Sequence, residues 1–242
     1  MSPSERAETG RTEAEPAGGT LYVVSTPIGN LGDMTYRAVA ILVGVDLILA
    51  EDTRHTRRLL SAYDVSTHLL SYTPHNHRSR VPGILARLSD GAALALVTDA
   101  GTPTVSDPGL MLVREVIAAG FMVSPVPGAS ACLAALAASG CSTEAFVFEG
   151  FLPTKKGRKT RLARLADEPR TIVLYESPHR VVKLLGELDT AVGDRPVVAA
   201  RELTKKFEEI RRGTAAELLA WYTAHRPRGE FVIVIEKVSR HG

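Results

Sequence analysis

The sequence predicts an α/β protein built as two α/β domains. Three observations lead there. Short apolar, β-branched runs alternate along the whole chain with longer stretches of helical spacing. Most of the apolar runs end in loops rich in Gly, Pro or polar residues. The runs are apolar enough to be buried as strands, and their alternation with helices argues sheets that are at least partly parallel.

In chain order, residues 21–25 (LYVVS) read as a buried strand followed by a Pro/Gly loop. Residues 35–43 have helical spacing, with Met34, Ala38, Ile41 and Leu42 on one side. Residues 47–50 (LILA) form a second strand ending in Glu51-Asp52, and Thr53 is the expected N-cap of a helix through Leu60. A helix over 77–88 precedes the strand 93–98 (ALALVT), which runs into the loop 99–109. A helix over 110–119, a strand over 121–125 and an Ala-rich helix over 129–138 complete the first half. The second half offers strands at 146–149, 171–175 (TIVLY), 197–201, 208–213 and 231–236 (FVIVIE), with helices at 157–165, 179–188 and 214–222. The later strands are less regularly spaced, so the second sheet is expected to be mixed.

The chain has 242 residues, 45% of them hydrophobic, enough for one large or two small cores. With 23% charged residues and a net charge of +2, wholesale disorder is excluded. Residues 1–18 carry Glu5, Glu8, Glu13 and Glu15 against Arg6 and Arg11, lack an apolar signal core, and read as a disordered tail. Val126-Pro127-Gly128 is the best boundary, giving domains at 19–127 and 128–242. Cys132 and Cys141 match neither a disulfide framework nor zinc spacing, and read as free thiols in a reducing cytosol. The longest apolar run, 41–50, is broken by Gly44 and Asp46 and falls short of the ~20 residues that span a membrane.

Ligands of open α/β sheets bind outside strand C-termini, so the loops there are the candidates. The first, 26–33 (TPIGNLGD), is neither a dinucleotide nor a P-loop fingerprint, although Gly29 and Gly32 allow close backbone approach. The second, 99–109 (DAGTPTVSDPG), is longer than a connection needs. Its Asp99 suits ribose hydroxyls or an ammonium group, and Asp107 suits either the site or the cap of the helix after Pro108. The third, 127–131 (PGASA), puts small residues at a helix start, where Ser130 is either cap or ligand contact. The fourth is Tyr175-Glu176-Ser177-Pro178-His179-Arg180. Separately, Lys155, Lys156, Arg158, Lys159, Arg161 and Arg164 fall within ten residues with no acid among them, a pattern that points to a phosphate backbone. Aromatics make up 5% of the chain, which argues against a base-stacking platform.

Read together and in order, LYVVSTPIGNLGDMT, LAEDTRHT, VTDAGTPTVSDPG, VPGAS, FEGFLPTKKGRK, YESPHR and RELTKKFEE resemble the tetrapyrrole-methylase superfamily. Within it they resemble most the bacterial branch that methylates a cytidine 2′-oxygen in 16S rRNA. The resemblance spans residues 21–236. It implies a class III S-adenosylmethionine-dependent methyltransferase with the cofactor in a cleft between two α/β domains. It also implies a cytoplasmic homodimer acting on the decoding region of the small ribosomal subunit. Carried over by motif, the cofactor would draw on Pro27, Ile28, Asp99, Gly101, Thr102, Val105, Ser130, Ala131, Tyr175, Gly229 and Glu230. The first loop lacks the Gly-richer pattern of the precorrin methylases, which disfavours a tetrapyrrole substrate, as does the KKGRK cluster.

Transfer from a sulfonium needs no metal and no protein nucleophile, but a ribose hydroxyl benefits from a general base. Candidates are Glu51, Asp52, His55, Glu176, His179 and Glu202, with Arg54, Arg180 or Arg201 available to an alkoxide. Glu51, Arg54 and Glu176 are the preferred set. RNA contact is expected from Lys155, Lys156, Arg158, Lys159 and Arg161, with Lys205 and Lys206 as a second patch. Two other readings stay open at this level: a methylase of a tetrapyrrole or protein side chain, and a non-catalytic rRNA-binding assembly factor.

Overall fold

The computed structural model describes residues 16–238, so the expected tail lies outside the described residues over 1–15. Its last residues, 16–18, lie against the body: the Ala17 amide donates to Tyr22 Oη at 2.9 Å. Contacts divide the chain into two compact units, one comprising the residues up to Pro27 and Leu31–Ala129, the other Ile28–Asn30 and the residues from Ser130 onward.

The first unit contains β1 (Thr20–Val24), α1 (Tyr36–Gly44), β2 (Leu47–Ala50), α2 (Thr53–Ser61), β3 (Leu69–Ser71), α3 (His77–Ser89), β4 (Leu94–Val97), α4 (Leu110–Ala118) and β5 (Met122–Val126). Its five strands are all parallel, in the order β3-β2-β4-β1-β5. Strand side chains alternate between faces, and the core divides accordingly. Val24, Ile48, Ala50, Ala95 and Val97 pack with Ile41, Leu42 and Leu60 of α1 and α2. Leu21, Leu47, Leu49, Leu94 and Leu96 pack with Ile84, Leu88, Leu112 and Val116 of α3 and α4. Burial on both faces is why these strands read as unbroken apolar runs. The sequence reading missed β3, a three-residue edge strand too short to show a period.

The second unit holds α5 (Ala131–Ser139), β6 (Phe146–Phe151), α6 (Arg158–Asp167), β7 (Thr171–Glu176), α7 (Val181–Val192), β8 (Val197–Arg201), β9 (Glu209–Gly213), α8 (Ala215–Ala224) and β10 (Phe231–Ile235). The order is β6-β7-β10-β8-β9, with β6 and β7 parallel and every other pairing antiparallel, the mixed sheet the irregular spacing implied. Ile172, Leu174, Ile233 and Ile235 face α7 and α8, while Val173, Val198, Val232 and Val234 face α5. Central β10 is buried at every residue. Phe231 pairs with Glu176 on one side and Arg201 on the other, so the segments after β7 and β8 and before β10 emerge at one end of this sheet.

Candidate active site

Parallel pairing brings the C-terminal ends of β1, β2, β4 and β5 to one end of the first sheet. Ser25-Thr26, Glu51, Asp99 and Pro127 therefore gather there. Hydrogen bonds tie the loops together. The Thr26 and Gly101 backbones exchange two bonds (2.9 and 3.0 Å), and Thr26 Oγ1 donates to the Thr98 carbonyl at 3.1 Å. The Ser25 and Thr102 hydroxyls meet at 2.9 Å, and Thr102 Oγ1 donates to the Ala129 carbonyl at 3.3 Å. Gly128 is required by close approach, since a Cβ there would sit 2.9 Å from Ser25 Cβ. Pro27 is buried, and Val105 is half-buried with its amide on the Thr102 carbonyl. Thr104 and Ser106 hold left-handed φ values of 76° and 63°, a local strain that surrounding structure must sustain. Inside this fastened loop set, Asp99 Oδ1 is buried with no hydrogen-bond partner among the described residues.

Of the carboxylates at this end, Asp52 lies near Arg54, while Glu51, Asp99 and Asp107 have no ion-pair partner among the described residues. Burial raises the Glu51 carboxyl above its ordinary value, and the charges of Asp99, Asp107 and Asp52 push it further. Asp107 is raised by burial and by the charge of Asp99. It does not cap α4, whose N-cap is Gly109. Asp52, rather than Thr53, caps α2: its Oδ1 accepts the Arg54 and His55 amides at 2.8 and 3.3 Å. Those amides hold the Asp52 carboxyl low. The Arg54 side chain is 88% exposed and reaches Asp52 only at 3.5 Å, so its cation is open to a partner.

In the second unit, Ile28, Ala131 and Tyr175 pack on one buried cluster formed by Cys132, Val173, Val232 and neighbours. The Cys132 amide donates to Tyr175 Oη at 3.0 Å, joining the start of α5 to the end of β7. Ser130 occupies the N-cap position of α5 but makes no capping hydrogen bond. Gly229 and Glu230 precede β10, where the Glu230 amide donates to Glu202 Oε1 and the Glu202 amide to the Glu230 carbonyl, both at 3.0 Å. Glu176 is 1% exposed. Its Oε1 accepts the Ser177 amide at 2.9 Å and faces Arg180 Nε at 3.3 Å, while Oε2 has no hydrogen-bond partner among the described residues. A carboxylate sealed in this way is a support for the Ser177–Arg180 turn, not a base presented to a bulky substrate. That corrects the expectation for Glu176.

The basic cluster also separates on folding. Arg158 is 5% exposed. Its guanidinium binds Glu187 through Nε (2.9 and 3.0 Å) and Nη2 (2.5 Å) and the Pro153 carbonyl through Nη1 (3.0 Å). It belongs to the scaffold of α6 and α7, which corrects its assignment to RNA. Arg161 lies 3.2 Å from Glu149 and is partly neutralised. Lys155, Lys156, Lys159 and Arg164 stay exposed without an ion-pair partner among the described residues. In the expected second patch Lys205 is committed to Glu202 and Glu230, and Lys206 alone remains exposed. Glu202, a candidate base in the sequence, is the partner of Lys205. The sequence signal for the pair is Glu and Lys three apart in RELTKK. Cys132 and Cys141 are free, and burial pushes the Cys132 thiol up to about 11.

A cavity of about 440 Å³ opens at the other end of the second sheet, lined by Ser139, Cys141, Asp194, Arg212, Thr214 and Glu236 among others. Two of its charged groups are already engaged: Arg212 binds the Ser139 and Ala138 carbonyls, and Glu236 accepts the Ser142 amide. None of the predicted site residues lines it.

Residues 20–219 match the family model of the tetrapyrrole (corrin/porphyrin) methylases. The chain is 52% identical over 219 residues to the ribosomal RNA small subunit methyltransferase I of Synechocystis sp., covering 90% of this chain and 78% of that relative. The relative of the same name from Bacillus subtilis is 47% identical over 219 residues, covering 90% and 75%. Among solved structures, a diphthine synthase superposes with a TM-score of 0.70 at 13% identity over 92% of this chain and 91% of that one. A cobalt precorrin-4 methyltransferase superposes at 0.68 and 22% identity, over 90% and 95%. Those likenesses carry the fold alone. The family match over most of the chain, and the relatives at about half identity, show that this chain belongs to the tetrapyrrole methylase family, in the branch of the ribosomal RNA small subunit methyltransferases I.

Proposed function

We propose that the chain methylates the 2′-oxygen of a cytidine ribose in 16S rRNA, in the decoding region of the small ribosomal subunit. What carries the reading is the identity of 46–52% over about 90% of the chain with relatives bearing that ribosomal RNA name. Enzymes of this family depend on S-adenosylmethionine, which when bound supplies an electrophilic methyl group on a sulfonium. The residues suit that group. Asp99 offers an unpartnered carboxylate oxygen to ribose hydroxyls or an amine. Gly101 and Thr102 offer fastened backbone. Ile28, Ala131 and Tyr175 form an apolar and aromatic surface. Pro27, Val105, Ser130, Gly229 and Glu230 complete the proposed set.

For an in-line displacement much of the rate comes from placing the acceptor oxygen ~3–3.5 Å from the methyl carbon. Glu51 takes the hydroxyl proton. Its raised carboxyl, set among acids at the strand ends, is a stronger base than an ordinary glutamate. Arg54, exposed at the start of α2, faces the RNA's negative charge. Lys155, Lys156 and Lys159 bind phosphates, with Arg161 contributing less because Glu149 is near. The exposed apolar residues Leu110, Met111, Ile117 and Met122, on α4 and the edge strand β5, are the proposed homodimer face, which light scattering tests.

The defining experiment incubates the protein with methyl-labelled S-adenosylmethionine and either naked 16S rRNA or undermodified small subunits. The label is then mapped by alkaline digestion, which a 2′-O-methyl blocks. Label at a single cytidine ribose is the expected result. Cofactor binding without label on either RNA overturns the reading.

A further inference from the structure

Lys205 lies where two proposed cofactor segments meet within the second unit. Its ammonium sits 3.0 Å from Glu202 Oε1 and 2.7 Å from Glu230 Oε2. Glu202 Oε1 also accepts the Glu230 amide, so one carboxylate holds both the lysine and the backbone before β10. Both side chains lie flat on glycines. A Cβ on Gly29 would overlap Lys205 Cγ, and a Cβ on Gly229 would overlap Glu202 Cδ. The turn that aims Lys205 is itself constrained. Glu202 and Thr204 hold φ values of 51° and 66°, the Lys205 amide donates to the Glu202 carbonyl at 3.0 Å, and the Thr204 amide donates to Glu208 Oε2 at 2.6 Å. Non-glycine residues keep such backbone only where the surroundings enforce it. The lysine is 28% exposed and saturated with carboxylates, an arrangement suited to fastening rather than to capturing phosphate.

We propose that Lys205, locked by Glu202 and Glu230, is a positioning residue for the cofactor. Its stem fixes Ile28–Asn30 against the second unit, and its ammonium fixes the Gly229-Glu230 turn, so both segments hold their places before the cofactor arrives. This rests on the S-adenosylmethionine reading and adds to it two residues, Lys205 and Glu202, that touch no substrate. It also makes Gly29 a requirement of Lys205 packing rather than of a phosphate-binding turn.

The test combines Gly29→Ala, Lys205→Ala, their double variant and Lys205→Met. S-adenosylmethionine affinity is measured by equilibrium dialysis, 16S rRNA affinity by filter binding, and amide exchange of residues 28–30 and 229–230 in the protein without cofactor. Gly29→Ala and Lys205→Ala each weaken cofactor binding about tenfold, and the double variant binds no more weakly than Lys205→Ala, because both lesions remove one interaction. Lys205→Met keeps the stem and loses the ion pairs, so exchange rises at 229–230 more than at 28–30. Affinity for rRNA stays within about twofold, and melting temperatures stay within about 2 °C, which a loss of general stability would not allow. Multiplicative losses in the double variant overturn the proposal. So does unchanged cofactor affinity in Lys205→Ala, or a loss confined to rRNA binding. If the unsubstituted protein binds no S-adenosylmethionine, the functional reading fails by itself, while exchange without cofactor still decides whether Lys205 fastens the two segments.

Discussion

The strand ends of the two sheets handle charge in opposite ways. In the first unit, Glu51, Asp99 and Asp107 collect with no ion-pair partner among the described residues, and the carboxyls of Glu51 and Asp107 are pushed up. In the second, carboxylates and cations find each other, Glu176 with Arg180 and Glu202 and Glu230 with Lys205, as Glu187 and Arg158 do between the helices α7 and α6 of the same unit. Burial and like charge leave a carboxylate reactive toward protons, whereas pairing fixes it in place. The difference is what the proposed roles rest on, a proton acceptor in the first unit and a positioning residue in the second, and it separates the lysines with no ion-pair partner among the described residues from those that only look free in the sequence.

The sharpest way to break the comparison is Glu51→Gln. Methyl transfer should fall by about 10²–10⁴-fold, the range for losing a general base, with cofactor and rRNA affinity retained. A base acts when deprotonated, so a raised carboxyl moves the acidic limb of the pH–rate profile to higher pH than an ordinary glutamate would give. That limb should vanish in the variant. Full activity in Glu51→Gln would remove the contrast between the units.

Next in size is Arg158→Ala, which leaves Glu187 facing an emptied site. It should cost about 2–4 kcal/mol, discounted from a fully buried pair because the Glu187 side chain is 25% exposed. Thermal melting would read this as a loss of about 5–10 °C in a chain of this size. A phosphate contact would instead lower rRNA affinity and leave the melt in place.

The free lysines give the opposite signature. The triple variant Lys155→Ala/Lys156→Ala/Lys159→Ala should lower the slope of log K for rRNA against log salt by about 2, at ~0.7–0.9 per contact. Its melting temperature and cofactor affinity should not change. Loss of stability without a change in slope would place these lysines with Arg158.

The smallest effect is expected from Asp107→Asn. A carboxyl raised in the folded state binds protons more tightly there than in the unfolded chain, so it favours folding as pH falls and opposes it as pH rises through the raised value. Removing the charge should therefore stabilise by about 0.5 kcal/mol at neutral pH. The gain should disappear below the ordinary carboxylate range. Denaturant titrations at the two pH values would measure it, and equal shifts at both would mean that like charge is not what strains this end.

Much of this was legible beforehand because period and composition are local properties. Runs such as LILA and FVIVI state their own burial, and every long element falls within a few residues of its expected place. The three-residue β3 escaped because it exists only through pairing with β2. The cap of α2 passed from Thr53 to Asp52 because both residue types cap and only backbone geometry chooses between them.

By itself the sequence determined the α/β alternation, the gathering of Gly- and Pro-rich loops at strand ends, and membership of a methylase family. These follow from short-range patterning and from motifs tens of residues long. Tertiary structure alone decided which charges remain available. Arg158 and Glu187 stand 29 residues apart, and Lys205 and Glu230 25 apart. A salt bridge depends on distance in space, which chain order does not record, so the KKGRK and RELTKK segments look alike as strings and part company only when the second sheet forms.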